Sequence, residues 1–408
     1  MTSWSMSSHF KPTIMTTLTT PSHPAGADAR PNVDRIRRPG LDAVIVHRDG
    51  LRELHVTVSP LPHERPSILL WRLDSFLREQ GGTVVRHEVF GALEARAETL
   101  GRMNRLFGGL TWPVTWLEGL SCNAAPVAGM NVFAVAGPVV DTVLLDDRPV
   151  GRTYHDGWAR HCLIGDLRPD DPGASREEQT ARIFQRLEAA LAQVGMVLSQ
   201  VARTWLFLED ILDWYTPFNS VRTEIFTQRN LFARGVPAST GVGARNGIGA
   251  ALVAGAWAVQ PLDKLVQVSE VGSPQQCSAR RYGSCFSRAV EMRMPGLVRL
   301  LVSGTASIDA HGRSAHSGDV RRQIQLTMEV VEAILSSRRL HWAEVTRAVA
   351  YFKSRQDAPV FEAWCAAHRI DLPVVLTQCD ICRDELLFEI EVDALARPGA
   401  GPNADTER

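Results

Sequence analysis

The chain has 408 residues, 45% of them apolar and 22% charged, with 44 lysines and arginines against 45 aspartates and glutamates. That is enough chain for two or three domains with proper cores. A net charge of −1 excludes a global field that would gather nucleic acid or an anionic membrane surface. No apolar run reaches the roughly eighteen residues of a membrane span.

The opening segment, MTSWSMSSHFKPTIMTTLTTPSHPAGADARP, has no continuous apolar stretch of the secretory kind. Rich in Ser, Thr and Pro, residues 1–40 are expected to be a disordered extension, and residues 397–408 a disordered tail. DAVIVHR and LHVTVSP then alternate like strands. SILLWRLDSFLREQ and LEARAETLGRMNRLFGG follow as amphipathic helices, and NVFAVAGPVV, from Asn131, as another strand with a Gly-Pro break. Seven cysteines, odd in number and scattered, predict reduced thiols in the cytoplasm. Cys379-x-x-Cys382 has no second CxxC or close histidine pair beside it, so no metal is expected.

From here the chain repeats itself. EEQTARIFQRLEAALAQVG and RRQIQLTMEVVEAILSSRR, written 144 positions apart, pair Gln179 with Gln323, Ala189 with Ala333 and Leu191 with Leu335. Without a gap the same offset pairs Val201 with Val345, Arg203 with Arg347 and Phe207 with Tyr351. VARTWLFLED and VTRAVAYFKS are therefore equivalent strands. A second helix follows in each half, WYTPFNSVRTEIF and PVFEAWCAAHR, and each half closes with a proline and two strands. This alternation predicts an α+β fold, a mixed sheet with both helices on one face in each of two units. The expected boundaries are 41–260, a first half with an N-terminal elaboration, and 261–396. Gly241–Gly249 does not present the dinucleotide fingerprint between a strand and a helix and is expected to be a turn between strands, with no cofactor. Leu300–Val302 predict a buried strand running into the small residues 303–307, where a ligand can approach the backbone.

The last strand stands out. In LLFEIEV, Leu387, Glu389 and Glu391 share one face, and Phe388, Ile390 and Val392 the other. The ordinary explanation of two acids on a strand is a face in water. The alternative is a rigidly held proton donor in a cleft. Aligning Pro237 with Pro373 puts Val253 opposite Glu389 and Gly255 opposite Glu391, so the first copy has the strand without the acids. Cys382 lies seven residues before Glu389, and the two side chains meet only if the backbone turns between them.

YGSCFSRAV, LLVSGTASID, GDVRRQIQLTMEVVEAIL and FEIEVDA make the second half, from about Tyr282 to Ala394, resemble the RidA (YjgF-type) domain. The duplicated chain, through DWYTPFNSVRTEIF, PASTGVGARN, YGSCFSRA, VSGTASID and CDICRDELLFEIEVD, resembles the chorismatases over roughly 154–393. That resemblance implies that a glutamic acid, here Glu389, protonates the enolpyruvyl methylene of chorismate. The oxocarbenium ion is then captured and pyruvate leaves. It implies that Arg222 and Arg288 grip the two substrate carboxylates with Tyr215 and Tyr282 as orienting hydroxyls. Tyr215 and Arg222, seven apart, can share a helix face. It further implies that Cys382 and Gly304 together mark a 3-hydroxybenzoate-forming member, 4-hydroxybenzoate as a second product staying open; members that release the dihydrodiol carry alanine-like residues there. Other readings are a chorismate hydrolase, a RidA-type imine deaminase (Arg383 lies near the required place) and a non-catalytic small-molecule binder. Neither a nucleic-acid nor a membrane partner is expected, and both a monomer and a homotrimer fit.

Overall fold

A computed structural model describes residues 32–396, so the expectations for residues 1–31 and 397–408 lie outside the described residues. No described helix is long and apolar enough to cross a membrane.

The first sheet is built from β1 (Asn32–Arg38), β2 (Leu41–Arg48), β3 (Leu51–Val58), β4 (Thr83–Gly91), β5 (Val114–Glu118) and β7 (Val127–Ala136), with α1 (Pro66–Gln80) and α2 (Leu93–Leu106) in the crossovers. The short β6 (Leu120–Ser121) joins the third sheet instead. The second sheet comprises β8 (Asp141–Leu145), β9 (Arg148–His155), β10 (Ala159–Leu167), β11 (Val201–Leu208), β12 (Ala238–Gly243) and β13 (Leu252–Pro261). Its helices are α3 (Arg176–Ala192), α4 (Ile211–Gln228) and the single-turn α5 (Leu231–Arg234). The third has β14 (Gln267–Val271), β15 (Ala289–Met294), β16 (Leu297–Ala306), β17 (Val345–Phe352), β18 (Val374–Gln378) and β19 (Phe388–Ala396), with α6 (Val320–Ser336) and α7 (Ala358–His368).

All three sheets have the same strand order. The first runs β1-β2-β3-β7-β4-β5, the second β8-β9-β10-β13-β11-β12 and the third β14-β15-β16-β19-β17-β18. In each, one pair is parallel (β4/β5, β11/β12, β17/β18) and the remaining pairs are antiparallel. The two units expected from the internal repeat are present, and a third of the same connectivity precedes them. It occupies the stretch taken as an elaboration of the first half, and β1 lies inside the segment 1–40 expected to be disordered. The reason is pairing: from Asn32 on, each β1 residue has a partner in β2, an alternation too polar to announce itself.

The correspondence reaches single residues. A bulge interrupts β4 between Val84 and Arg86, β11 between Val201 and Arg203, and β17 between Val345 and Arg347. Counting on from it, Gly129, Val253 and Glu389 are equivalent, as are Asn131, Gly255 and Glu391. Each sheet packs its helices on one side over a separate apolar core, whereas the opposite faces of all three meet in one shared core containing Phe90, Phe133, Trp205, Phe207, Trp257, Leu301 and Tyr351. The edge of each unit docks on the next. Asp166 N donates to Thr115 Oγ1 on β5 at 2.8 Å, and Gly304 N donates to Thr240 Oγ1 on β12 at 3.0 Å, the same bond at two equivalent seams. At the third seam Thr57 Oγ1 donates to the Pro373 carbonyl at 3.3 Å. Head-to-tail contacts of one kind close into a ring when the rotation allows, and here one chain supplies all three members.

The paired glutamines explain how the last strand is held. Gln323, in the first turn of α6, donates to the carbonyls of His316 and Glu385 and accepts from Leu387 N at 2.8 Å. Gln179 does the same in the second unit, accepting from Ala251 N at 2.8 Å. Buried backbone groups need such partners. Gln323→Ala is expected to cost about 2 kcal/mol, because it strands the Leu387 amide. Chemical denaturation at neutral pH measures it, and an unchanged midpoint would contradict this account.

Candidate active site

The seam between the second and third units opens into a cleft of about 770 Å³. Two elements of the second unit form one wall. α4 is bent where Trp214 leaves helical geometry (φ −143°, ψ 15°) and where Pro217 withholds an amide. β12 contributes Ser239 and Gly241. The third unit supplies the loop 282–288, the end of β16, the turn after β18 and the start of β19. Ser239 N donates to Ser303 Oγ at 2.8 Å and Ser287 N to the Pro237 carbonyl at 3.0 Å, which stitches the two walls at the cleft's inner end.

All seven side chains or backbone positions singled out from sequence (Glu389, Cys382, Tyr215, Arg222, Tyr282, Arg288 and Gly304) line this one cleft. The backbone does turn between β18 and β19, through residues 379–387, and that turn brings Cys382 beside Glu389. The face of β19 that carries the acids does not meet water: Glu389 is 4% exposed and Glu391 fully buried. Phe388, Ile390 and Val392 fill the helix-side core on the other face. The ordinary solvent-face reading therefore fails, because this side of the strand is the inter-unit side.

Glu389 has an apolar and electrostatically adverse setting. Burial, with the negative charge of Glu391 next along the strand, raises its carboxyl from 4.5 to about 8, against the opposing pull of Arg203 and Arg288. Its carboxylate lies over Gly304, where any β-carbon would overlap it. Burial, reinforced by Glu389, pushes the Cys382 thiol up to about 12, so it is a neutral, weakly polar wall and not a thiolate. Glu391 is the opposite case. Burial alone would raise it, but Arg347 and Arg203 hold it below the usual carboxylate range.

Two cations in the cleft have no counter-ion among the described residues. Arg222 is 3% exposed, donates from Nη2 to Asn219 Oδ1 at 2.5 Å, and leaves Nε without a partner. Asn219 in turn donates to the Tyr215 carbonyl at 2.8 Å. Arg288, equally buried, spends Nε and Nη2 on the Cys277 carbonyl at 3.1 and 2.9 Å. Tyr282 lies between two guanidinium groups, Arg288 at 5.5 Å and Arg383 at 5.1 Å from its ring centre. Burial raises the hydroxyls of Tyr215 and Tyr282, so both stay protonated donors. Buried cations without carboxylates call for an anionic ligand. Arg383 enters this set although the sequence pointed to it only for a different chemistry. Asn219, Ser284 and Phe286 were missed, since no pattern distinguishes them from other loop or helix residues.

At the other two seams the equivalent position is taken up differently. Gly129 stands where Glu389 stands, and a β-carbon there would come within 2.9 Å of Val375 on β18. Val253 fills the equivalent place in the second unit.

Comparison with known proteins agrees with the geometry. A family profile described as Endoribonuclease L-PSP matches residues 169–253. A 3-hydroxybenzoate synthase of Streptomyces hygroscopicus is 30% identical over 275 residues, 59% of this chain and 75% of that protein. A chorismatase of Streptomyces rapamycinicus is 28% identical over 263 residues, 58% of this chain and 77% of its own length. A chorismatase crystal structure superposes with a TM-score of 0.58 at 20% identity, covering 76% of this chain and 93% of the other, which speaks to the fold.

The raised pKa of Glu389 makes a stability prediction. A carboxyl whose folded value is about 8 and whose ordinary value is 4.5 contributes stability that is present below 4.5 and lost as pH rises towards 8. Glu389→Gln, neutral throughout, is expected to melt with wild type near about pH 5 and a few degrees higher at about pH 9. A variant that melts lower than wild type at alkaline pH would mean that the fold stabilises the ionised carboxyl, contrary to a raised folded value. With an acid, two unpaired cations and a neutral thiol in one seam, and relatives of this kind over most of their length, the chain belongs to the chorismatase family within the RidA-like superfamily.

Proposed function

We propose that the protein is a chorismatase that releases pyruvate from chorismate and leaves 3-hydroxybenzoate. The single observation that carries this reading is a buried glutamic acid, protonated at neutral pH, facing a cleft that holds two buried arginines without counter-ions. Chorismate has two carboxylates and an acid-labile enol ether. Each feature has its complement here.

In this reading Arg222 and Arg288 take one carboxylate each, with Arg383 extending the cationic side and Tyr215 and Tyr282 donating their hydroxyl protons. Glu389 gives its proton to the enolpyruvyl methylene. The positive charge that develops on the ether carbon is then balanced by the carboxylate left behind. A water molecule adds to the oxocarbenium carbon, and collapse of the resulting hemiketal breaks its bond to the ring oxygen, which keeps the proton, so that pyruvate leaves and the ring diol remains. Loss of water from the ring then yields the hydroxybenzoate. Pyruvate and hydroxybenzoate together contain all the atoms of chorismate, so no redox partner enters. The neutral Cys382 thiol is too weak an acid to act as a thiolate here. Its role is to shape the wall beside the ring, which favours aromatisation over release of a dihydrodiol. Gly304 lets the carboxyl of Glu389 lie against the β16 backbone. The absence of an acid at Val253 and Gly129 supports a single site per chain.

Purified protein mixed with chorismate is expected to give pyruvate and 3-hydroxybenzoate by chromatography, with the rate falling as pH rises through about 8, where Glu389 loses its proton. Glu389→Gln should lose at least a thousandfold in kcat, at the upper end of what a general acid contributes (about 10²–10⁴). Cys382→Ala should keep pyruvate release and divert product to the dihydroxycyclohexadiene. Gly304→Ala should fold normally yet lose roughly tenfold or more in kcat, because the added methyl re-aims the acid. Absence of pyruvate from the wild-type protein would refute the proposal, and turnover of imine substrates would replace it.

A further inference from the structure

Around Glu389 and Glu391 the hydrogen-bond donors are divided very unequally. Four converge on Glu391: Arg203 Nη2 at 2.6 Å, Trp205 Nε1 at 3.1 Å, the Thr240 hydroxyl and Arg347 Nη2. Among the described residues none reaches Glu389. Yet the two side chains project from the same face of β19, two residues or about 7 Å apart. The hydroxyl of Thr240 lies between them. It accepts from Gly304 N at 3.0 Å and from Arg203 Nη2 at 2.7 Å, so its one proton is committed to Glu391.

We infer that Glu391 is a positioning residue for the acid: it gathers the cations and donors of the ring's centre onto itself and so keeps Glu389 neutral and turned towards the cleft. The inference rests on Glu389 being the proton donor. Three observations carry it. Arg86, Arg203 and Arg347 occupy the same bulge-adjacent position in the three sheets, and their guanidinium groups lie 3.3, 5.2 and 5.6 Å from the ring of Trp205. Glu391 is the one carboxylate at its position, since Asn131 and Gly255 stand there in the other units. The strand that carries it is also the one that carries the acid, so both carboxylates occur together or not at all.

The charged and titratable groups facing Glu389 fix the sign of any change. They are Glu391 on its own strand, Arg203 on β11, Arg288 ahead of β15 and the Cys382 thiol in the turn before β19. Tyr351 pairs with Glu389 across β17, and α4 presents Tyr215 and Arg222 across the cleft. Removing the charge of Glu391 leaves Arg203 without a counter-ion and takes one of three carboxylates from Arg347, which favours the ionised form of Glu389. Removing Arg203 does the reverse. A loosened strand would not give opposite signs.

The test compares full-length wild type, Glu391→Gln, Arg203→Met and Glu389→Gln. One readout is the pH dependence of pyruvate release from chorismate. The other, made on the protein alone, is an infrared difference titration of the protonated carboxyl band that Glu389→Gln lacks. The expected result is a midpoint moved down by about one pH unit or more in Glu391→Gln and moved up in Arg203→Met. At pH values below both midpoints Glu391→Gln should keep the wild-type KM. Midpoints that coincide with wild type in the folded variants, or that move in the same direction, overturn the inference. Should Glu391→Gln fail to fold, the direction of the Arg203→Met shift decides by itself. If wild type makes no pyruvate, the functional reading fails, while the infrared titration still judges the role of Glu391.

Discussion

The structure depends on a line of buried ion pairs through the centre of the ring. Arg203 and Arg347 close on Glu391, Arg347 continues to Glu88 at 3.1 Å and Asp393 at 3.3 Å, and Arg86 pairs with Glu88. Farther along, Arg299 pairs with Glu53. The three sheets can share a core only if these charges are matched across units, because a buried charge without a partner costs several kcal/mol. The pairs that cross between units, Arg203–Glu391, Arg347–Glu88 and Arg299–Glu53, therefore constrain the rotation of one unit on the next. Apolar packing around Trp205, Trp257 and Phe133 fills the remaining space without defining a register.

Within that frame the seams have diverged. Ring closure requires three similar contacts, and the Thr115 and Thr240 bonds show how similar two of them are. Catalytic use requires the opposite, a seam that stays open. Between the second and third units the bent helix α4 forms one wall of the cleft. At the third-to-first seam Val375 packs against Gly129, and no room is left for an acid. A site placed between units takes its cations from both sides, Arg222 from one and Arg288 from the other.

The same geometry accounts for the contrast between two glutamates separated by one residue. Both are on the inter-unit face and both are buried. Glu391 points to the centre, where guanidinium groups are concentrated, and is held as a carboxylate. Glu389 points into the cleft, where burial and its charged neighbour favour the protonated form. One strand thus supports a structural anion and a carboxyl that keeps its proton without any difference in residue type.

Much of this was legible in the chain. The period of two in LLFEIEV, the repeat that pairs Gln179 with Gln323 and Arg203 with Arg347, and the loss of both acids at Val253 and Gly255 are local or periodic signals, and sequence carries those directly. It also marked seven cleft positions, because family-like segments surround them. It did not reveal that Asn32–Ala136 forms a third unit, since equivalence there rests on strand order and a shared bulge and not on repeated residues. Nor did it say that the acidic face of β19 is buried, which depends on what another unit lays against it. Local pattern determined the strands and the helices. Only the tertiary structure decided which acid keeps its proton, because the donors that hold Glu391 ionised come largely from distant residues, with Arg203, Trp205 and Thr240 all on the neighbouring unit.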